Sequence, residues 1–277
     1  MKKLKCALTS DNHYGFDQST HRIHEKFWAK LAEESIDVLF WAGDIGSAKQ
    51  EDLEKSFKMA RKFLPGVTIV AVCGNHDFWG GRPDKLPWKS EIDLYSHSGF
   101  YRHRKKLPAY KQPVPYGIMV QNHKKWAEEN GIILLDGESY NLTDNVVVLG
   151  MTGWYKETNL QALGTNDWKY MPESVESAPI HMYLSYKAEK DLEKLLYTPT
   201  EDKAVVFITH FPPFTEDPQY EKYCANQKFM NFMTEKSDYL LVGHSHHACD
   251  FLKNDCRVMN CGSDYNDPKY VIFEIEG

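Results

Sequence analysis

Eight short apolar runs, at residues 4–9, 36–42, 67–73, 146–151, 204–209, 239–242, 258–261 and 270–275, punctuate the chain. They hold mostly Val, Ile, Leu and Phe with little polar alternation, the pattern of strands covered on both faces. Helical periodicity fills several gaps. Over 20–34, Ile23, Phe27 and Leu31 recur every four residues; over 50–63, Leu53, Phe57, Ala60 and Phe63 do the same. Over 183–196, Leu184, Ala188, Leu192, Leu195 and Leu196 share one face. Strands alternating with helices predict an α/β protein. The stretches 78–115 and 152–179 are poorly periodic and rich in Trp, Tyr, Pro and Gly, which suits long loops over one face. With no internal repeat and no linker, the expectation is a single domain over 1–277, carrying insertions at about 78–125 and 152–181.

The polar residues just past each run are more telling than the run itself. Asp11-Asn12-His13, Gly43-Asp44, Gly74-Asn75-His76-Asp77, His210 and Gly243-His244-Ser245-His246 each come directly after a predicted strand. In an α/β sheet such loops gather at the carboxyl ends of the strands, so these residues can converge on one crevice. Asp, Asn and His suit divalent transition metals of intermediate hardness, and the absence of cysteine argues against a structural zinc knot. Seven such donors exceed one tetrahedral ion but fit two ions sharing a carboxylate, the clamp used on phosphate esters.

In order and spacing these blocks resemble the calcineurin-like metallophosphoesterase superfamily, whose pattern is D-x-H, G-D, G-N-H-(D/E), H and G-H-x-H. The resemblance runs from residue 11 to 246 and no block is missing. It implies a four-layer α/β/β/α sandwich of two mixed sheets flanked by helices, the metallophosphatase fold. It further implies that Asp11, His13 and His246 hold one metal, that Asn75, His210 and His244 hold the other, and that Asp44 bridges them. Two divalent ions are expected, with manganese, iron and zinc all compatible. The expected reaction is hydrolysis of a phosphate mono- or diester by a metal-bridging hydroxide. His76 stands outside the ligand set; in the family the corresponding histidine faces the leaving-group oxygen, and Asp77 is assigned to orient it. His21, His24, His97, His103, His123 and His181 lack this context and are read as surface or core residues.

Composition refines the picture. The chain is 42% hydrophobic and 26% charged over 277 residues, which excludes a disordered or low-complexity protein. Net charge is −6, yet residues 79–125 carry ten Lys/Arg against three acids, leaving the rest at −13. Among those cations stand Trp79, Trp88, Tyr95, Phe100, Tyr101, Tyr110 and Tyr116. Aromatics among cations suit a nucleotide or single-stranded nucleic acid; they equally suit a satellite core under a long loop. Trp154 and Tyr155, just beyond the run 146–151, are candidate substrate-binding residues. The expected partner is thus a phosphate ester, nucleotide-like or another small one, with a nuclease as the alternative and a non-catalytic scaffold as a remote one. No run approaches the ~20 apolar residues of a membrane span. The six cysteines form no C-x-x-C pair, and the expectation is a reduced, cytoplasmic protein with no membrane partner.

Overall fold

The computed structural model describes residues 3–17, 19–47, 50–79, 116–155, 167, 171, 174–175, 178–215 and 227–276. In chain order these form β1 (Lys3–Thr9), α1 (Thr20–Glu33), β2 (Val38–Ala42), α2 (Gln50–Phe63), β3 (Thr68–Val72), a 3-10 turn (His76–Phe78), α3 (Tyr116–Glu129), β4 (Ile132–Leu134), β5 (Glu138–Asn141) and β6 (Val146–Met151). Next come β7 (Ser174–Val175), β8 (Ala178–Pro179), α4 (Ile180–Leu196), β9 (Ala204–Thr209), α5 (Gln227–Lys236), β10 (Tyr239–Val242), β11 (Cys249–Lys253), β12 (Cys256–Asn260) and β13 (Val271–Glu276). One sheet runs β13-β1-β2-β3-β4 and the other β11-β12-β10-β9-β6-β5; β7 and β8 form a separate ribbon.

Both large sheets are mixed. In the first, β1, β2, β3 and β4 are parallel and β13 is antiparallel to β1. In the second, β6, β9, β10 and β12 are parallel, with antiparallel β5 and β11 at the edges. Successive side chains in a strand point to opposite faces. In β2, Val38, Phe40 and Ala42 pack toward the other sheet, meeting Val206 and Ile208 of β9 and Val146 and Val148 of β6. Leu39 and Trp41 face outward onto Phe27, Trp28 and Leu31 of α1 and Leu53, Phe57 and Ala60 of α2. On the far side, Val205 and Phe207 of β9 pack on Leu184, Ala188 and Leu192 of α4 and on Phe229 and Met233 of α5. Both faces of each central strand are therefore dry, which is why these strands read as unbroken apolar runs. The result is the expected α/β/β/α arrangement.

Differences from the sequence reading are physical. The face of α1 is centred one residue later than Ile23, on His24, Phe27, Trp28 and Leu31, because His24 reaches inward to the Asn12 carbonyl at 2.9 Å. Helix α4 starts at Ile180, one turn before the periodic stretch. Helix α3 occupies the end of the segment expected to be an insertion, and it buries Tyr116, Met119, His123 and Ala127. Residues 80–115, with the cations from Arg82 to Lys111 and the aromatics from Trp88 to Tyr110, lie outside the described residues, as do 156–166 and 168–170 of the second stretch.

Candidate metal centre

Five loops, following β1, β2, β3, β9 and β10, carry the polar blocks to one edge shared by both sheets. Backbone bonds knit them: Asp11 N–H donates to the Gly43 carbonyl (3.0 Å), His13 N–H to Asp44 (2.9 Å) and Gly243 N–H to His210 (3.1 Å). Asp11, His13, Asp44, His244 and His246 all adopt left-handed backbone, with φ from 48° to 64°. Side-chain-bearing residues avoid this region, and single occupancies persist only where the surroundings impose them. Two glycines are dictated by space. A Cβ at Gly43 would lie 2.5 Å from His210 Nδ1, and one at Gly74 would lie 2.2 Å from Asp44 Oδ1.

The side chains form two sets of donors. In the first, His246 Nε2 lies 3.3 Å from His13 Nε2 and 3.6 Å from Asp11 Oδ1. In the second, Asn75 Oδ1 lies 3.0 Å from His210 Nε2 and 3.1 Å from His244 Nδ1, and those two nitrogens are 3.3 Å apart. Asp44 stands between them, with Oδ1 3.4 Å from His210 Nε2 and Oδ2 3.7 Å from His13 Nε2. The triads Asp11/His13/His246 and Asp44/His210/His244 each have ligand atoms close enough together to share one ion, as do His13, Asp44 and His76.

Outer hydrogen bonds fix which atoms face inward. His210 Nδ1 lies 2.9 Å from the carbonyl of Ala42, an acceptor only, so Nδ1 carries the proton and Nε2 presents a lone pair. His246 Nδ1 is held the same way by Asp264 Oδ1 at 2.8 Å. Asn75 Nδ2 donates to Asp167 Oδ1 at 2.7 Å, which turns the amide oxygen inward. Metal-binding imidazoles are oriented in this manner. Burial pushes His13 and His210 well below the ordinary imidazole range, so both are neutral. It also lifts Asp44 well above the carboxylate range and Asp11 to about 6. Neutral nitrogens, an amide oxygen and buried carboxylates aimed at common points repel one another unless a cation or protons lie between them. The donor set therefore fits two divalent ions.

His76 sits beside this cluster. Its ring stacks on Trp79 at 3.5 Å and meets the edge of His13 at 4.4 Å. Its Nε2 lies 3.3 Å from the Tyr265 hydroxyl and 3.9 Å from Asp44 Oδ2. Trp79 Nε1 donates to Asp167 at 2.8 Å, so one carboxylate positions both Asn75 and the platform under His76. Asp77 accepts from the backbone N–H groups of Gly74 (2.8 Å), Gly46 (2.8 Å) and Ile45 (3.3 Å). Its carboxylate thereby clamps the β2 and β3 loops together.

Trp154 and Tyr155, the candidate substrate residues, are buried beside the cluster. Their exposures are 1% and 2%, within the core beneath α4. Gly153, at φ 74°, turns the chain after β6. Tyr155 stacks on Trp154, Trp154 packs on Phe211, and Phe211 lies 4.2 Å from the His244 ring. Among the described residues they buttress Phe211, which packs on the candidate ligand His244.

The sequence matches the family model described as calcineurin-like phosphoesterase over residues 4–248. Among curated proteins, no sequence matches. The phosphopantetheinyl hydrolase of Mycobacterium tuberculosis is similar at a TM-score of 0.59 and 14% identity, over 95% of this chain and 90% of that one. A dimetal phosphatase of Danio rerio is similar at 0.58 and 11%, over 95% and 88%. At these identities the likeness is one of fold.

Proposed function

Because the chain belongs to the calcineurin-like phosphoesterase family, and is thus a metal-dependent phosphoester hydrolase, we propose that it hydrolyses a small phosphate mono- or diester at this cluster. Asp11, His13 and His246 would hold one divalent ion, Asn75, His210 and His244 the other, and Asp44 would give one oxygen to each. Bound there, manganese, iron or zinc would supply Lewis acidity toward the phosphoryl oxygens and an activated water at neutral pH. The observation that carries this reading is the second set: three lone pairs, on Asn75 Oδ1, His210 Nε2 and His244 Nδ1, within 3.3 Å of one another.

His76 provides the proton chemistry. Seated on Trp79, its Nε2 faces the side from which the ester would leave, and there it donates to the departing oxygen. Asp77 keeps the β2 and β3 loops in register, so that Asp44 Oδ1 accepts the backbone N–H of His76 at 2.9 Å. Among the described residues no helix is long and apolar enough to cross a membrane. Cys6, Cys73, Cys256 and Cys261 are buried as small hydrophobes, which supports a reducing, cytoplasmic setting.

The test is reconstitution of chelator-stripped protein with manganese, iron or zinc. Two equivalents should bind per chain, and release of nitrophenol from bis-p-nitrophenyl phosphate or p-nitrophenyl phosphate should track loading. Comparing the two esters separates diesterase from monoesterase. Full loading without hydrolysis of either would overturn the reading.

A further inference from the structure

Phe16 and Tyr265 are 40% and 37% exposed, and their rings meet at 4.5 Å. Single apolar side chains in water are ordinary. Two adjoining aromatic rings beside a charged cluster are not. Tyr265 stacks on His13 at 4.2 Å with an 18° interplanar angle, and its hydroxyl approaches His76 Nε2. The pair therefore borders the side of the cluster assigned above to the leaving group.

The two loops that carry these rings are tied to each other. Asn266 Nδ2 donates to Asp17 Oδ2 at 2.5 Å, and Thr20 Oγ1 donates to Asn266 Oδ1 at 3.3 Å. Asp264 and Asp267 exchange backbone hydrogen bonds at 3.2 and 2.9 Å, and Phe16 N–H donates to the His13 carbonyl at 3.1 Å. A pinned backbone that leaves two rings in water is a preformed apolar surface, the kind that binding sites use. The charges around it are also informative. Asp17, Asp264 and Asp267 lie on these loops, with Lys269 paired to Asp267 at 3.0 Å. Excess negative charge there repels an anionic leaving group.

We infer that Phe16 and Tyr265 form the docking surface for the leaving-group alcohol, and that the preferred substrates are phosphate esters of an uncharged alcohol bearing a planar ring, of the nucleoside kind. This rests on the reading of the cluster as a phosphoesterase centre with His76 on the leaving-group side. Planar rings suit the surface because stacking on aromatic side chains rewards any π face, and it needs no partner for each polar edge of the ring.

The experiment uses one alcohol with and without its ring: adenosine 5′-phosphate against ribose 5-phosphate for a monoesterase, or their methyl esters for a diesterase. The leaving oxygen is the same in both. The ratio of kcat/KM, ring over no ring, should exceed about tenfold in the wild type. It should fall toward unity in Phe16→Ala and in Tyr265→Leu, and persist in Tyr265→Phe, which keeps the ring. In parallel, saturation-transfer NMR on metal-free protein should show adenosine binding and ribose not, with the adenosine signal lost in Phe16→Ala. Hydrolysis of both esters at equal efficiency, or a ratio unchanged in the two ring-removing variants, would overturn the docking surface and leave the phosphoesterase reading intact. Adenosine binding without hydrolysis of any ester would do the reverse.

Discussion

His210 and His246, proposed above as ligands of different ions, are held differently. His210 is wholly buried and its outer nitrogen is fixed by a backbone carbonyl, that of Ala42. His246 keeps 21% of its side chain exposed and is fixed by Asp264, a carboxylate that is itself 59% exposed. A strand carbonyl can neither rotate away nor take up a proton; an exposed carboxylate can do both. The difference teaches that one fold can carry a rigid and a yielding half in a single centre. The ion held by Asn75, His210 and His244 should exchange slowly with solvent, and its neighbour faster.

The comparison collapses if the shared group goes. Asp44→Asn should lower occupancy in both halves and depress turnover by more than the ~10–100-fold typical of a supporting group. Elemental analysis finding two tightly held ions in that variant would refute the shared role. His76→Ala should leave both halves loaded while turnover falls by roughly 10²–10⁴, the range for a positioned acid–base group. The loss should shrink on nitrophenyl esters, whose leaving groups need little protonation. A variant that sheds metal, or that is equally impaired on activated and unactivated esters, would refute the leaving-group role of His76.

Asp264→Ala and Asp167→Ala sharpen the comparison most directly. Each should weaken one ion by ~10–100-fold and spare the other. Asp264→Ala loosens the ion at Asp11, His13 and His246, and Asp167→Ala the ion at Asn75. Calorimetric metal titration of the two variants should show different binding steps affected; weakening of the same step in both would contradict the division.

The last effect concerns the frame under the two halves. His24 supports the β1 loop through Asn12, and His123 lies 3.6 Å from Cys73 Sγ at the end of β3. Burial pushes these imidazoles down to about 4 and about 3. In the unfolded chain they bind protons near pH 6.5. Below that pH, until the folded values are reached, these two sites hold more protons in the unfolded chain, and their contribution to stability falls as pH drops. The loss should reach a few kcal/mol by about pH 4. Denaturant midpoints at neutral and acid pH measure it, and His24→Gln should flatten the dependence.

Strand-end chemistry was legible where strands are covered on both faces. The runs before Asp11, Asp44, Asn75, His210 and His244 are unbroken, so their ends could be read to within two residues. Edge strands β5 and β11 face water along one side and carry Glu138, Asp250 and Lys253, so no apolar run marks them. Asp264 and Tyr265 follow the run at β12 and obey the same strand-end logic, but no metal-binding spacing singles them out. Asp167 lies in a segment with no preceding run, and only the structure brings it to Asn75. For Trp154 and Tyr155 the sequence shows position after a strand but not direction, and the turn at Gly153 carries both rings inward.

The left-handed backbone at Asp11, His13, Asp44, His244 and His246 bears on how this protein can be altered. Each such residue carries a conformational cost of about 1 kcal/mol that glycine would not. The cost is best recovered at His246, whose side chain is partly in water and fills little core. A directed-evolution campaign that scores heat resistance alone would therefore drift toward His246→Gly and discard a proposed metal ligand along the way. Selection for thermal endurance in this scaffold has to be run with turnover in the same screen.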